Sequence, residues 1–196
     1  DMLDIPGMGT IEATILDVSN PMVLVKAEDI GATGTELPEE VNSNTELCEK
    51  LEKIRGTAAC MMGFAKDLKD ATDNSPAVPK VGFVTVPKSY TDISGEQIQA
   101  EDMDICARVI SVFKCHKAIP LTAASATAVA AALPGSVVQK VMAAGTSTEN
   151  VRIGHPSGIM TMCPEIEQDG DEIKVPSVGV QRTARRIMDG TVYIRK

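Results

Sequence analysis

The chain has 196 residues, enough for one sizeable domain, with 43% hydrophobic and 23% charged residues, the balance of an ordinary globular protein. A net charge of −8 excludes a polyanion such as nucleic acid as the partner. Phosphate binding needs clustered Lys and Arg, and the densest basic runs, residues 182–186 and 114–117, are short; a small anion held by a few local positive groups stays open.

Three Phe, two Tyr and no Trp leave the core to aliphatic side chains and ten Met. The five cysteines (Cys48, Cys60, Cys106, Cys115, Cys163) form no CxxC pair, the usage of a reducing compartment. No signal sequence opens the chain, and no apolar run approaches the ~18 residues of a membrane span. The expected location is the cytoplasm, with no membrane partner. The start at Asp1-Met2, without an initiator Met, reads as a fragment or a processed piece.

In chain order, residues 10–17 and 22–26 are β-branched and apolar and predict two strands joined at Ser19-Asn20-Pro21. Residues 31–35 read as a loop. Apolar residues at Leu47, Leu51, Ile54, Ala58, Met61, Ala65 and Leu68 predict one helix over 44–70. Its Gly56, Cys60 and Gly63 form a small-residue stripe where another backbone should pack closely. A strand follows at 80–86, a loop or hairpin tip at 94–102, and a strand at 104–113. Residues 122–133 form a second helix, stopped by Pro134-Gly135. Short strands are expected at 151–153, 159–165, 172–178 and 191–195, with a turn at Asp169-Gly170 and either strand or helix over 182–188. Many strands and two main helices, without regular βα alternation, give an α+β class.

The helix at 122–133 is the most informative segment. It has small residues on every side, almost no charge and no acidic residue in its first turn, although that turn favours negative charge. Its start offers backbone N–H groups and the hydroxyls of Thr122 and Ser125, with Lys114, His116 and Lys117 just upstream. A carboxylate would fit there; a plain Thr-capped buried helix is the alternative. Gly154-His155-Pro156-Ser157-Gly158 is a tight turn that can present N–H groups, an imidazole and a hydroxyl, or be only a β-turn with an exposed His. Ser19-Asn20-Pro21 is equally a carboxylate contact or a simple turn. No metal site is expected, because Cys106, Cys115 and His116 lack structural-site spacing. Gly31 and Gly34 precede no Gly-Lys-Ser/Thr, and no third partner for a Ser hydrolase can be placed.

Residues 9–21 (GTIEATILDVSNP), 34–38 (GTELP), 54–56 (IRG), His116-Lys-Ala118 with Thr122-Ala123-Ala124, 153–158 (IGHPSG) and 182–185 (RTAR) together resemble the 2-methylaconitate cis–trans isomerase (PrpF) family. That family includes methylitaconate Δ-isomerases, oxalomesaconate tautomerases and aconitate isomerases. The resemblance implies a diaminopimelate-epimerase-like lobe, with mixed or antiparallel strands around a central Ala-rich helix. The whole of 1–196 would be the C-terminal lobe of a two-lobe enzyme, partnered by an N-terminal lobe absent from this chain.

It also implies an enzyme without cofactor that shifts a double bond in a small unsaturated di- or tricarboxylic acid, and it allows a homo-oligomer. Its main Lys and Cys acid–base groups would lie in the first lobe. His116 becomes the auxiliary catalytic candidate. Ser19, Asn20, Thr122, Ala123, Ala124, Ser125, His155, Pro156, Ser157 and Gly158 become the substrate-binding candidates. Thr122 stands where related epimerases carry a catalytic Cys, which counts against an amino-acid epimerase. A non-catalytic organic-acid-binding lobe is the other competing class.

Overall fold

The computed structural model of the protein describes residues 1–169 and 172–195. In chain order its elements are β1 (Met2–Ile5), β2 (Gly9–Asp17), β3 (Pro21–Lys26), α1 (Pro38–Ser43), α2 (Thr45–Met61), α3 (Leu68–Asn74) and β4 (Lys80–Thr85). There follow β5 (Tyr90–Thr91), β6 (Gln97–Ile98), β7 (Ile105–Ser111), β8 (Lys114–Cys115), α4 (Leu121–Ala132), α5 (Val137–Val141), β9 (Val151–His155), β10 (Gly158–Asp169) and β11 (Glu172–Val180).

One mixed sheet runs β1-β2-β3-β4-β7-β9-β10-β11, with β8 added to β7; β5 and β6 form a separate hairpin. The pairs β3/β4 and β7/β9 are parallel and the other pairs are antiparallel. Strand alternation sends side chains to two cores. Met22 and Leu24 of β3 and Ile105, Ala107 and Val109 of β7 face the core around α4. Val23, Val25, Val81 and Phe83 face the core under α2. Gly82 is required between them: a Cβ there would stand 2.7 Å from Met22 Cε and 3.1 Å from the Arg108 carbonyl oxygen.

The Ala-rich helix α4 is buried from Ala123 to Ala131 and packs against β2, β3, β9, β10, β11 and α5. Alanine suits both demands on it: helix propensity, and a narrow side chain that lets strands approach on several sides. Helix α2 lies on the opposite face, against β1, β3 and β4.

Three expectations change. The helix predicted over 44–70 is two helices, because Gly63 takes φ +79° just past the end of α2 and Asp67 then caps α3 by accepting from Asp70 N at 2.8 Å. Of the expected small-residue stripe, Gly56 does meet a close neighbour, since a Cβ there would lie 2.9 Å from Leu68 Cδ2 of α3, but a Cβ at Gly63 would meet nothing within 4 Å. Residues 181–195, expected to hold a strand at 191–195 and a helix or strand at 182–188, have no regular structure and are exposed throughout. The turn expected at Asp169-Gly170 includes Gly170, which lies outside the described residues. Among the described residues no helix is long and apolar enough to cross a membrane.

Candidate functional site

The strand registers bring most of the candidate residues to one end of the sheet. The β2–β3 turn closes on the Asp17–Pro21 pair, and β3 runs parallel to β4 from Met22–Lys80. The β7–β8 hairpin closes on Ser111–Lys114, and β9 ends, parallel to β7, in the His155–Gly158 turn. The loop from His116 to Pro120 leaves β8 at this end and delivers the start of α4 into it.

The start of α4 is bare. Pro120 is the N-cap and its side chain makes no capping bond, and the first turn carries no acidic residue. Thr122 is the second helical residue and half-buried, so the Thr-capped helix weighed from the sequence is not what forms. The Ala124 N–H is used within the helix, donating to Pro120 O at 2.9 Å, whereas helix geometry gives the N–H groups of Leu121, Thr122 and Ala123 no intrahelical acceptor. Ser125 is the fifth helical residue and only 8% exposed; its hydroxyl donates to Leu121 O at 3.0 Å. Ser125 and Ser19 line a common cleft of about 440 Å³ with Asp17, Val18 and the β11 residues Val175 to Val178. Asn20 turns instead to Lys80, whose Nζ donates to Asn20 Oδ1 at 2.7 Å. Burial holds the Lys80 amine below its ordinary pKa.

The two histidines share one pose. His155 Nδ1 accepts from Ser157 N at 3.2 Å, and His116 Nδ1 accepts from Ala118 N at 3.1 Å. With Nδ1 used as an acceptor, each neutral ring carries its hydrogen on Nε2. His116 is exposed, but His155 is 5% exposed, against the exposed turn histidine that the sequence also allowed. Burial, then the Arg108 guanidinium and the neighbouring His116 imidazole, press the His155 pKa down to about 4. His155 does not line the cleft shared by Ser19 and Ser125.

The His155–Gly158 turn is fixed from two sides. The Ser157 hydroxyl donates to Lys117 O, which ties the turn to the loop leading into α4. From beneath, Tyr90 Oη lies 2.7 Å from His155 O and 2.9 Å from Gly158 O, sharing its hydrogen between them. The Arg108 guanidinium sits 4.9 Å from the Tyr90 ring centroid. Arg108 is fully buried, donates from Nε to Glu36 O at 2.6 Å and from Nη1 to Ala107 O at 2.9 Å, and leaves Nη2 without a partner among the described residues. Pro156 is buried, with its carbonyl accepting from Ile93 N at 2.8 Å.

Sequence reasoning missed Lys80, Tyr90 and Arg108. Lys80 merely opens an apolar strand, and Arg108 sits inside one, so neither has a local signal; both are defined by partners remote in sequence. The two buried thiols, Cys106 and Cys115, are not poised for proton transfer. Burial pushes Cys106 up and Cys115 up to about 11. Among the described residues no three His, Cys, Asp or Glu side chains gather where they could hold a metal ion.

Comparison with known proteins matches residues 1–195 to the sequence pattern of the family described as PrpF protein. The 3-methylitaconate isomerase of Eubacterium barkeri is 40% identical over 96% of this chain and 49% of its own length. The 2-methyl-aconitate isomerase of Shewanella oneidensis is 39% identical over 100% of this chain and 49% of its own. A crystal structure of methylitaconate-delta-isomerase superposes with a TM-score of 0.82 at 35% identity, over 92% of this chain and 49% of that one. The chain thus spans about half the length of the relatives it matches.

Proposed function

The chain belongs to the PrpF family, and from that membership we propose that it is the carboxylate-holding second lobe of an isomerase of small unsaturated di- or tricarboxylic acids, of the methylitaconate or methylaconitate kind. In this reading a first lobe of the same diaminopimelate-epimerase-like pair supplies the main acid–base groups. Free cysteines throughout fit the cytoplasm as its location.

Moving a double bond along such an acid removes a proton from one carbon and returns it to another, through an intermediate whose extra charge spreads onto a carboxylate. Groups aimed at that carboxylate lower the barrier as the charge grows. The observation that carries the reading is the bare start of the buried helix α4: no cap, no acid, and N–H groups without intrahelical acceptors. A carboxylate at that start would take the Thr122 and Ala123 N–H groups and the Thr122 hydroxyl. The Ser125 hydroxyl, rotated from Leu121 O, and Ser19 across the cleft add donors, while the side chains of Ala123 and Ala124 are buried in the core around α4. Lys80, oriented by Asn20, supplies a cation at the same end of the sheet.

His116 is the exposed imidazole nearest in sequence to this start, with Nε2–H free to donate or relay. His155 stays neutral through the physiological range, and Pro156, Ser157 and Gly158 hold the entry loop of α4 in place through Lys117. A two-thiol epimerase gains no support, with Thr at 122 and Cys115 protonated.

Incubation in deuterated water with methylitaconate, followed by NMR, tests the division of labour. This chain by itself should incorporate no deuterium into the carbon skeleton, and a longer protein carrying both lobes should. Robust incorporation by this chain alone would overturn the assignment of the acid–base groups to the first lobe.

A further inference from the structure

We propose that Tyr90 and Arg108 are positioning residues of the isomerisation: without touching substrate they hold the His155–Gly158 turn, and through it the loop that carries His116 and leads into α4. The inference rests on the reading of that helix start as the carboxylate site.

Arg108 is a costly side chain to place where it stands. It is fully buried on β7, and its hydrogen bonds go to carbonyl oxygens and none to a carboxylate. An apolar side chain of similar volume in place of a buried ion commonly leaves a core as stable or more so, so filling space does not account for an arginine here. The guanidinium instead joins segments remote in sequence. Nε donates to Glu36 O at 2.6 Å, ahead of α1, and Nη1 donates to Ala107 O at 2.9 Å and reaches Gly154 O of β9 at 3.4 Å. Its central carbon lies 4.9 Å from the Tyr90 ring centroid. A planar fork of donors suits these directions better than an ammonium.

Tyr90 carries the hold onward. Its hydroxyl is shared between His155 O and Gly158 O, the residue pair on which β9 and β10 close. Gly154 admits this approach, since a Cβ there would crowd Met103 Sδ and Tyr90 Oη. A third carbonyl of the turn, Pro156 O, accepts from Ile93 N in the β5–β6 hairpin that Tyr90 begins. The Ser157 hydroxyl then donates to Lys117 O, beside His116, whose Nδ1 accepts from Ala118 N at 3.1 Å. Each link from Arg108 to the entry of α4 is thus a direct contact. Donors aimed at a growing charge lose up to about a hundredfold in rate when displaced by ~1 Å, and the loss falls on kcat because the charge grows only in the transition state.

Tyr90→Phe tests this, because it keeps the ring against Arg108 and removes only the hydroxyl. In the full-length protein with methylitaconate, kcat should fall on the order of tenfold, with KM within about threefold, at a temperature where circular dichroism shows both proteins folded. Combined with Ser157→Ala, kcat should fall little below that of the worse single variant, since both changes act through one tie. Arg108→Lys, which keeps the charge and loses the fork, should lower kcat in the same way; parental kcat there would remove Arg108 from the proposal. In this chain alone, Tyr90→Phe should quicken hydrogen exchange at Ser157 and Ala118 by about tenfold. Parental kcat in folded Tyr90→Phe, a loss confined to KM, multiplying losses in the double variant, or unchanged exchange overturns the proposal. The two readings fail separately. Parental full-length protein that does not turn over methylitaconate removes the functional reading, while quickened exchange still upholds the tie; turnover that Tyr90→Phe leaves unchanged removes the positioning and keeps the function.

Discussion

The Ser157 hydroxyl donates a hydrogen bond to the carbonyl oxygen of Lys117, forty residues earlier in the chain, and so couples the turn after β9 to the loop that delivers α4. Ser157→Ala removes that tie while leaving an exposed carbonyl that water can satisfy. A stability loss of about 0.5–1.5 kcal/mol is expected, read as a lowering of the melting temperature by a few degrees. No change in melting temperature and no change in exchange of the 117–120 amides would mean the bond does not hold the loop.

His155 gives a pH dependence with a definite sign. Its pKa is about 4 in the folded chain and near 6.5 when unfolded, so between those values the unfolded state binds more protons. The stability this neutral imidazole contributes is complete above pH ~6.5 and is lost as pH falls toward 4, by up to about 3 kcal/mol. Urea denaturation at pH 7 and pH 4.5 should show the loss, and His155→Asn should remove most of it. Direct titration by NMR should find His155 still neutral at pH 5.

Arg108 is a buried cation whose partners are backbone carbonyls and the Tyr90 ring. Arg108→Met takes away the second-largest cause of the low His155 pKa, which should rise toward its ordinary value. The same change strands Glu36 O in the interior and should cost about 1–3 kcal/mol, measured by denaturation. A His155 titration identical in the variant would show that burial alone sets it.

Gly34 stands at φ +88° with its hydrogen toward Thr85, and an added Cβ would come within 2.7 Å of Thr85 Cβ. Gly34→Ala should therefore destabilise by about 2 kcal/mol or more, from the clash and the left-handed backbone together. Adding Thr85→Ser relieves the methyl contact and should recover part of the loss, leaving the backbone strain. Full recovery would assign the whole effect to the clash.

The central helix was legible because a run of Ala flanked by Pro120 and Pro134-Gly135 has few other uses. The strands β2, β3, β4 and β7 were legible because β-branched residues cluster in them. The long helix was misread at Gly63, since a glycine inside a helix and one just past its end look alike until φ is known. Helix α1 was missed in a Glu-rich stretch, although Pro38 at its first position and the Glu40 carboxylate accepting from Leu37 N are helix-start signals. In the site, Thr122, Ser125 and the 155–158 turn carried local signals. The pairings of Lys80 with Asn20 and of Arg108 with Tyr90 did not, because only the sheet registers bring them together. The strand expected at 191–195 was misread: its β-branched residues carry the propensity, but among the described residues they pair with no strand and stay exposed.

A charge placed at the start of α4 probes whether that start holds a substrate carboxylate. Ser125 is too buried for an acid, but Thr122 is half-buried in the first turn, where Asp is favoured by the helix dipole by ~0.3–1 kcal/mol. In the full-length protein, Thr122→Asp should fold as well as the parent, by melting temperature. Its carboxylate would stand within a few ångströms of the bound one; at ~4 Å and an effective dielectric of ~20 the repulsion is about 4 kcal/mol. Calorimetric titration with methylitaconate should then show affinity weakened by up to about a thousandfold. Parental affinity in a fully folded Thr122→Asp protein would contradict the claim and leave the helix start a structural feature alone.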